Sequence, residues 1–205
     1  KSFFDAATTD PVLPGSNLSF TFNAGKGHYL SFAIMLAQTN DLFYGFQDMG
    51  LALYDGSGNA VTGDVTGMVY LWDAGTEVNE EPGAGPNQAP RQSGPNTGTD
   101  ENGSVWKISD VNDGYTYPVV SEIIKVMIEH DGGTEFTVTI YNKSDMAGLT
   151  SPLAPGVWVV HNNSVQLFTE GEASSEGLEK LAEDGNNSEL GDFLKMNAGL
   201  VSPFA

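Results

Sequence analysis

The chain contains no cysteine and few basic side chains. Without cysteine it can form no disulfide framework, no thiolate metal site and no cysteine nucleophile. Its 8 Lys and Arg stand against 27 Asp and Glu, which gives a formal net charge of −19. Such a field opposes binding to nucleic acid or to an anionic membrane surface. No apolar run reaches the roughly 18 residues of a membrane span, so membrane insertion is not expected either.

The rest of the composition is typical of a secreted, extracellular β protein. Glycine (25) and proline (10) are frequent among the 205 residues, and charged residues other than acids are sparse. A chain of this length can build one sizeable core, so we predict a single domain over 1–205. The chain begins at Lys1 without Met, which is expected either of a mature, processed form or of a recombinant fragment.

Short apolar segments with strand character dominate the chain as far as His161. Phe136, Val138 and Ile140 alternate with polar residues, which is the period of a strand with one buried face. The other segments lie at 18–22, 28–37, 51–54, 67–72, 105–108, 123–128 and 157–160. Such segments, separated by Gly, Pro, Asn and Asp turns, predict an all-β fold, an antiparallel β-sandwich of about eight strands.

Two short peripheral helices are predicted near the C-terminus, within 174–197. In the first, apolar residues recur three and four positions apart, at Leu178, Leu181 and Ala182. Ser175 is the expected N-cap and Gly185 the expected end of this helix. The second helix should begin near Ser188 and bury Leu190, Phe193 and Leu194. Each helix has a narrow apolar stripe, so both should pack on the sandwich rather than form a domain of their own.

The segment 82–103 is predicted to be a long surface loop. It holds prolines and glycines throughout and almost no large apolar residue. A structureless segment of this length within a domain is uncommon and is usually functional or mobile. Because it directly follows the most acidic stretch of the chain, it could cover or extend a site there.

That acidic stretch, 72–81, contains four carboxylates, at Asp73, Glu77, Glu80 and Glu81. No Lys or Arg occurs between Lys26 and Arg91 to balance them. Carboxylates gathered without cations repel one another, and a bound cation would relieve that repulsion. Hard oxygen donors suit calcium better than zinc or copper. The alternative is a solvated acidic loop on an acidic protein.

Other candidate sites have simpler explanations. The segment 55–59 has the oxygen spacing that opens an EF-hand loop, but a hairpin turn explains it better. A second cation site at 110–114 competes with a simple loop. The histidines are far apart in sequence, and His161 is expected to be structural. Asp73 with Glu77 could form a glycosidase-like acid and base pair, although a bound cation would keep both ionised. The tryptophans are expected in the core.

Several motifs resemble one known family. They are Gln38–Gly45 (QTNDLFYG), Leu51–Gly56 (LALYDG), Trp72–Glu77 (WDAGTE) and Phe168–Gly185 (FTEGEASSEGLEKLAEDG). In order and spacing, the first three are similar to the N-terminal domain of spondins, and more closely to its bacterial secreted relatives. The resemblance implies a β-sandwich with a calcium ion near one end. Carried over by position, the metal ligands would be Asp41, Asp73 and Glu77. Glu77 stands where the family usually has a second Asp.

One departure from the family concerns the order of its motifs. The segment 168–185 follows the WDAGTE motif here, whereas in the family it precedes it. The tail 200–205 would join naturally to the N-terminal residues 1–4, so the chain reads as a circular permutation. It could equally be a slice across consecutive domains of a longer protein. The apolar residues at both ends are expected to pack on the sandwich or on a neighbouring copy.

The predicted function is that of a secreted calcium-binding domain without catalytic activity. It would serve extracellular adhesion, matrix binding or assembly, with an extracellular protein or a glycan as its partner. An alternative is a structural subunit of a filament or surface array that self-associates through its termini. A third reading is a hydrolase.

Overall fold

A computed structural model of the chain describes residues 3–198. Its secondary structure includes eleven strands and three α-helices in that range. The strands are β1 (Phe3–Thr8), β2 (Asn17–Asn23), β3 (His28–Met35), β4 (Leu42–Gly45), β5 (Leu51–Ala52), β6 (Gly63–Asp64), β7 (Tyr70–Asp73), β8 (Trp106–Lys107), β9 (Ile124–Gly132), β10 (Glu135–Asn142) and β11 (Val157–Asn162). The helices are α1 (Val120–Ile123), α2 (Glu176–Asp184) and α3 (Ser188–Asn197).

The strands form two antiparallel sheets, which confirms the predicted β-sandwich. The larger sheet has the order β1-β11-β3-β4-β7-β8, with β5 also paired to β3. The smaller sheet has the order β2-β10-β9-β6. Eight of the eleven strands overlap the predicted segments, and the three that were not predicted are β1, β4 and β6. β6 has only two residues and β4 is buried along its whole length, so neither shows the alternation that predicts a strand.

The long apolar run of β3 is explained by its position in the larger sheet. Its residues Leu30, Phe32 and Ile34 face the core between the two sheets. Ala33 belongs to a second core, which the neighbouring β11 and the two C-terminal helices complete. Because both faces of this sheet are covered, its central strands are apolar on both sides rather than alternating. In the smaller sheet, β10 alternates as predicted, with its apolar residues inward.

The ends of α2 lie where the sequence predicts them. The hydroxyl oxygen of Ser175 accepts a hydrogen bond from Leu178 N at 3.3 Å. Gly185 ends the helix at a φ of 65°, in the left-handed region that glycine adopts without strain. At Gly177 an added Cβ would lie 3.1 Å from the backbone of Leu190, so glycine lets the two helices approach closely.

Two predicted core residues are exposed instead. Phe193 has 52 % of its surface exposed, whereas Leu190 and Leu194 of the same helix are buried. The two leucines are one turn apart and define the buried stripe, and Phe193 falls at its edge. Trp106 is 47 % exposed because β8 is the outermost strand of its sheet. The other two tryptophans, Trp72 and Trp158, are buried as predicted.

The segment 82–103 contains no helix and no strand, apart from a single bridge between Asp100 and Glu77. It is not a loose surface loop throughout, because Gln88 is completely buried. This segment therefore docks on the sandwich close to the acidic stretch.

The described ends of the chain lie together at one edge of the larger sheet. β1 pairs with β11, and α3 packs against β1, where Lys195 Nζ donates to Thr8 Oγ1 at 3.2 Å. The predicted packing of the tail 200–205 lies outside the described residues. Within residues 3–198, no helix combines the length and the apolar character that a membrane crossing requires.

Candidate metal centre

Antiparallel pairing of β4 with β7 brings two of the predicted ligands together. Leu42, the first residue of β4, pairs with Asp73, the last residue of β7. Asp41 directly precedes Leu42, and its carbonyl oxygen accepts from Ala74 N at 3.2 Å. Asp41 and Asp73 therefore lie beside each other at one end of the larger sheet, although more than thirty residues separate them in sequence.

One oxygen of Asp41 is saturated with donors and the other has none. Oδ2 accepts from Thr76 N at 2.7 Å, from Thr76 Oγ1 at 3.1 Å and from Glu77 N at 3.0 Å. Oδ1 is buried and has no hydrogen-bond partner among the described residues. A buried polar atom without a partner costs about 1–3 kcal/mol, so native proteins seldom leave one.

Asp73 holds the turn that presents those donors. Its Oδ1 accepts from Gly75 N at 2.7 Å, and its Oδ2 accepts from Asn79 Nδ2 at 2.6 Å. Gly75 has a φ of 69°, and an added Cβ would meet Ser104 O at 2.5 Å. The turn therefore requires glycine for both its conformation and its close approach to 104.

The two carboxylates disfavour each other's charge. Burial raises the pKa of Asp41 to about 8, and the neighbouring charge of Asp73 adds to that rise. Burial also raises the pKa of Asp73 above its ordinary value. Among the described residues, no Lys or Arg forms an ion pair with either one.

A proton would relieve the charge of Asp41 but would not complete its hydrogen bonding. With Oδ2 accepting three bonds, the proton belongs on Oδ1. Oδ1 accepts no hydrogen bond from the described residues, so a neutral Asp41 would still leave lone pairs of this oxygen without a donor. A cation beside Oδ1 would satisfy both the charge and the lone pairs of this oxygen.

Glu77, the third predicted ligand, directs its carboxylate to other partners. Oε1 accepts from Gly98 N at 2.7 Å, and Oε2 accepts from Asn40 Nδ2 at 3.3 Å. Burial raises its pKa, and the charges that add to the rise are those of Asp184 and Glu80. Only the backbone N–H of Glu77 joins Asp41. Across residues 3–198, no group of three or more His, Cys, Asp or Glu side chains is arranged to hold a metal ion.

Asn40 and Gln88 are site residues that the sequence analysis missed. Asn40 Oδ1 accepts from Glu80 N at 3.0 Å and from Gln88 Nε2 at 3.1 Å. Gln88 Oε1 in turn accepts from Gly83 N at 3.0 Å. This network holds the segment 82–103 over the acidic stretch. A glutamine among prolines and glycines carries no sequence signal of burial.

A wider negative region surrounds Asp73. Burial raises the pKa of Glu101, and the charges of Asp73 and Asp113 add to that rise. Asp113 belongs to the segment 110–114, and its carboxylate accepts hydrogen bonds from Tyr115 N and from the Tyr117 hydroxyl. The segment 110–114 is thus a loop, and the negative charge of its Asp113 raises the pKa of Asp73 further.

A second buried acid lies on the other side of Thr76. Burial raises the pKa of Glu183 in α2 to about 7, and the charge of Glu77 adds to that rise. Thr76 therefore lies between the carboxylates of Asp41 and Glu183. Nothing in the helical pattern of α2 distinguished Glu183 from its solvated acidic neighbours.

The remaining candidates have structural roles. Asp55 Oδ1 accepts from Ser57 N at 2.9 Å and from Asn59 N at 2.8 Å, which confirms the predicted hairpin turn. His161 is buried, with Nε2 at 2.8 Å from Ser31 Oγ and Nδ1 at 2.7 Å from Asn162 O. A donor at Nδ1 leaves Nε2 to accept from the serine, so this pair is satisfied within the core.

No protein-family model, curated protein or solved structure matches the chain.

Proposed function

We propose that this chain is a secreted, spondin-like calcium-binding domain whose ion lies beside Asp41 and Asp73. The observation that carries the proposal is the buried Oδ1 of Asp41, which has no partner next to a second buried carboxylate. The donors are hard oxygens, which calcium accepts in flexible arrangements of six to eight. Backbone carbonyls and water would supply the oxygens beyond the two carboxylates.

The two carboxylates belong to elements that the ion would join. Asp41 precedes β4 and Asp73 ends β7, and the turn after Asp73 carries the donors to Asp41 Oδ2. Calcium supplies positive charge at this junction. The chain itself orients the ligands, since Thr76 and Asn79 fix one oxygen of each carboxylate.

A binding role is favoured over catalysis because the acids are inaccessible. The candidate acid and base pair is inaccessible, because Asp73 is 3 % exposed and Glu77 is 2 % exposed. A glycosidase acid and base must reach both sides of a scissile bond, which such buried groups cannot do without a large rearrangement. We therefore propose a non-catalytic domain for adhesion, matrix binding or assembly, and a hydrolase ranks behind it.

The alternative, assembly through the termini, has one observation in its favour. In the described part of the chain, β1 is the end strand of its sheet and pairs only with β11. An end strand can accept a further strand from another chain where its outer backbone groups are accessible. Sedimentation of the chain with and without residues 1–10 tests this, and unchanged size distribution and stability on deletion would contradict it.

Calorimetric titration of chelator-treated protein tests the calcium site. We expect calcium to bind more tightly than magnesium, which prefers a smaller octahedral shell. Asp41→Asn and Asp73→Asn should each abolish most of the binding. Glu77→Gln tests whether Glu77 is a third ligand. Calcium binding should persist in this variant if only Asp41 and Asp73 bind the ion, and should be lost if Glu77 binds it too. Wild-type protein with no calcium heat and no metal by elemental analysis would refute the site.

A further inference from the structure

A polar pocket lies between the segment 96–103 and the start of α2. Its volume is about 360 Å³, within the range of roughly 300 to 1,000 Å³ of small-ligand sites. It is lined by Gly75, Thr76, Asn96, Asp100, Asn102, Gly103, Ala173, Ser174 and Glu179. It therefore adjoins the Asp41 turn without including either candidate calcium ligand.

Four polar side chains of this pocket have hydrogen-bonding groups that are available to a ligand. Asn96, Asp100, Asn102 and Glu179 form no side-chain hydrogen bond with another residue of the described chain. Together they offer amide N–H donors, amide oxygens and carboxylate oxygens. The pocket can thus both donate to and accept from a bound molecule.

The backbone around these side chains is fixed before any ligand binds. Gly103 N donates to Gly75 O at 2.7 Å, and Glu101 N donates to Thr76 O at 2.9 Å. On the opposite wall, Ser174 Oγ donates to Ala74 O at 2.8 Å. A preformed wall lowers the entropy cost of binding.

The lining excludes several kinds of ligand. It contains no Lys, Arg or His, and the chain is strongly acidic, so an anion would be repelled. It contains no aromatic or large aliphatic side chain, so a flat apolar molecule would gain little. A neutral ligand rich in hydroxyls and a cationic amine remain.

The pocket's mixture of hydrogen-bond donors and acceptors favours the hydroxyl-rich ligand over the cationic amine. An amine or guanidinium only donates, so it could bond to the carboxylates and amide oxygens but could not accept from the exposed amide N–H groups of Asn96 and Asn102. A hydroxyl both donates and accepts, so adjacent hydroxyls can use the carboxylates and the amides together. We propose that this pocket binds a neutral saccharide, which makes a glycan the ligand of the binding domain; the role as a binding domain rests on the function proposed above.

The pocket is linked to the calcium site through one residue. Thr76 lines the pocket, while its N–H and hydroxyl hold Asp41 Oδ2. Calcium at Asp41 would therefore order one wall of the pocket, and saccharide should bind more tightly in calcium than in chelator. The two sites have separate readouts, because the saccharide contacts no calcium ligand.

The test is a titration of ¹⁵N-labelled protein with neutral disaccharides, namely cellobiose, lactose, mannobiose and chitobiose, followed by amide chemical shifts. Spermidine serves as the cationic probe. Asn96 and Asn102 have φ of 47° and 56°, so Asn96→Gly and Asn102→Gly remove the amides without backbone strain. Asn163→Gly is the matched control, on an exposed asparagine beyond β11 at the far end of the sheet.

We expect at least one disaccharide to shift amides of 96–103 and 173–179, with millimolar or tighter affinity. Each glycine variant should weaken that binding about tenfold, as the loss of one or two hydrogen bonds predicts, and the control should not.

An immobilised glycoprotein distinguishes a glycan on a partner from a free sugar, and binding of either supports the proposal. It is overturned if no disaccharide shifts these amides, if only spermidine does, or if the glycine variants bind like wild type. Loss of calcium binding alone contradicts the calcium proposal and leaves this result standing.

Discussion

Thr76 binds one oxygen of Asp41 twice, through its backbone N–H at 2.7 Å and its hydroxyl at 3.1 Å. This double contact fixes the carboxylate so that its other oxygen cannot turn to a protein donor. Oδ1 has no hydrogen-bond partner among the described residues. A loop residue thus determines how a strand-end carboxylate is presented.

The first prediction concerns calcium and thermal stability. Calcium that binds only the folded state at about a hundred times its dissociation constant should raise the free energy of unfolding by about 2.7 kcal/mol. Scanning calorimetry in chelator and in millimolar calcium should show the corresponding rise in melting temperature. Asp73→Asn, which removes one charge at nearly constant volume, should lose most of this rise. Asp192→Asn, on an exposed position of α3, is the control and should keep it.

The second prediction concerns pH in the absence of metal. The pKa of Asp41 is higher in the folded state than in the unfolded chain, where it has its ordinary value near 4. Its contribution to stability is therefore complete below pH 4 and is lost as the pH rises towards 8. The raised pKa values of Asp73 and Glu183 act in the same direction. Urea unfolding in chelator should show about 1–3 kcal/mol less stability at pH 8 than at pH 5.

Calcium should reverse this dependence, because its ligands must be ionised. In Asp41→Asn, which resembles the protonated acid, the loss of stability between pH 5 and pH 8 should be much smaller than in wild type. Equal pH slopes for wild type and this variant would show that Asp41 is not the titrating group.

The third prediction concerns the docking of the segment 82–103. Gln88→Ala removes the amide that joins Asn40 Oδ1 and Gly83 N, and should cost about 1–3 kcal/mol. Hydrogen exchange should then accelerate across 82–103 and at Val78, whose N–H donates to Thr99 O. Gln47→Ala, on an exposed glutamine, is the control and should leave exchange in this segment unchanged.

The fourth prediction concerns the turn after Asp73. Gly75→Ala places a Cβ 2.5 Å from Ser104 O at a φ of 69°, so the turn must open. The strain should cost about 2 kcal/mol or more and weaken calcium binding, because the donors of Thr76 shift. Gly67→Ala is the control, since a Cβ there meets nothing within 4 Å. If both variants unfold at the same urea concentration, the close contact between Gly75 and the backbone of Ser104 does not constrain the turn.

Local pattern alone determined the class of this protein and several of its details. Alternation in β10 and the cap residues Ser175 and Gly185 lie where the sequence predicts them, because strand period and helix termination depend on neighbouring residues. The turn at 55–59 follows the same logic, since Asp55 binds backbone groups a few positions away.

Tertiary structure decided which acids lie side by side. Asp41 meets Asp73 through the pairing of β4 with β7, a contact between distant segments that no local pattern encodes. Glu77 has the spacing of a ligand, but Gly98 and Asn40 bind its carboxylate in the folded chain. Which donors bind a buried carboxylate depends on every segment that packs around it, and these segments meet only in the folded chain. The burial of Gln88 and the exposure of Trp106 were decided in the same way, by what packs against them rather than by their own polarity.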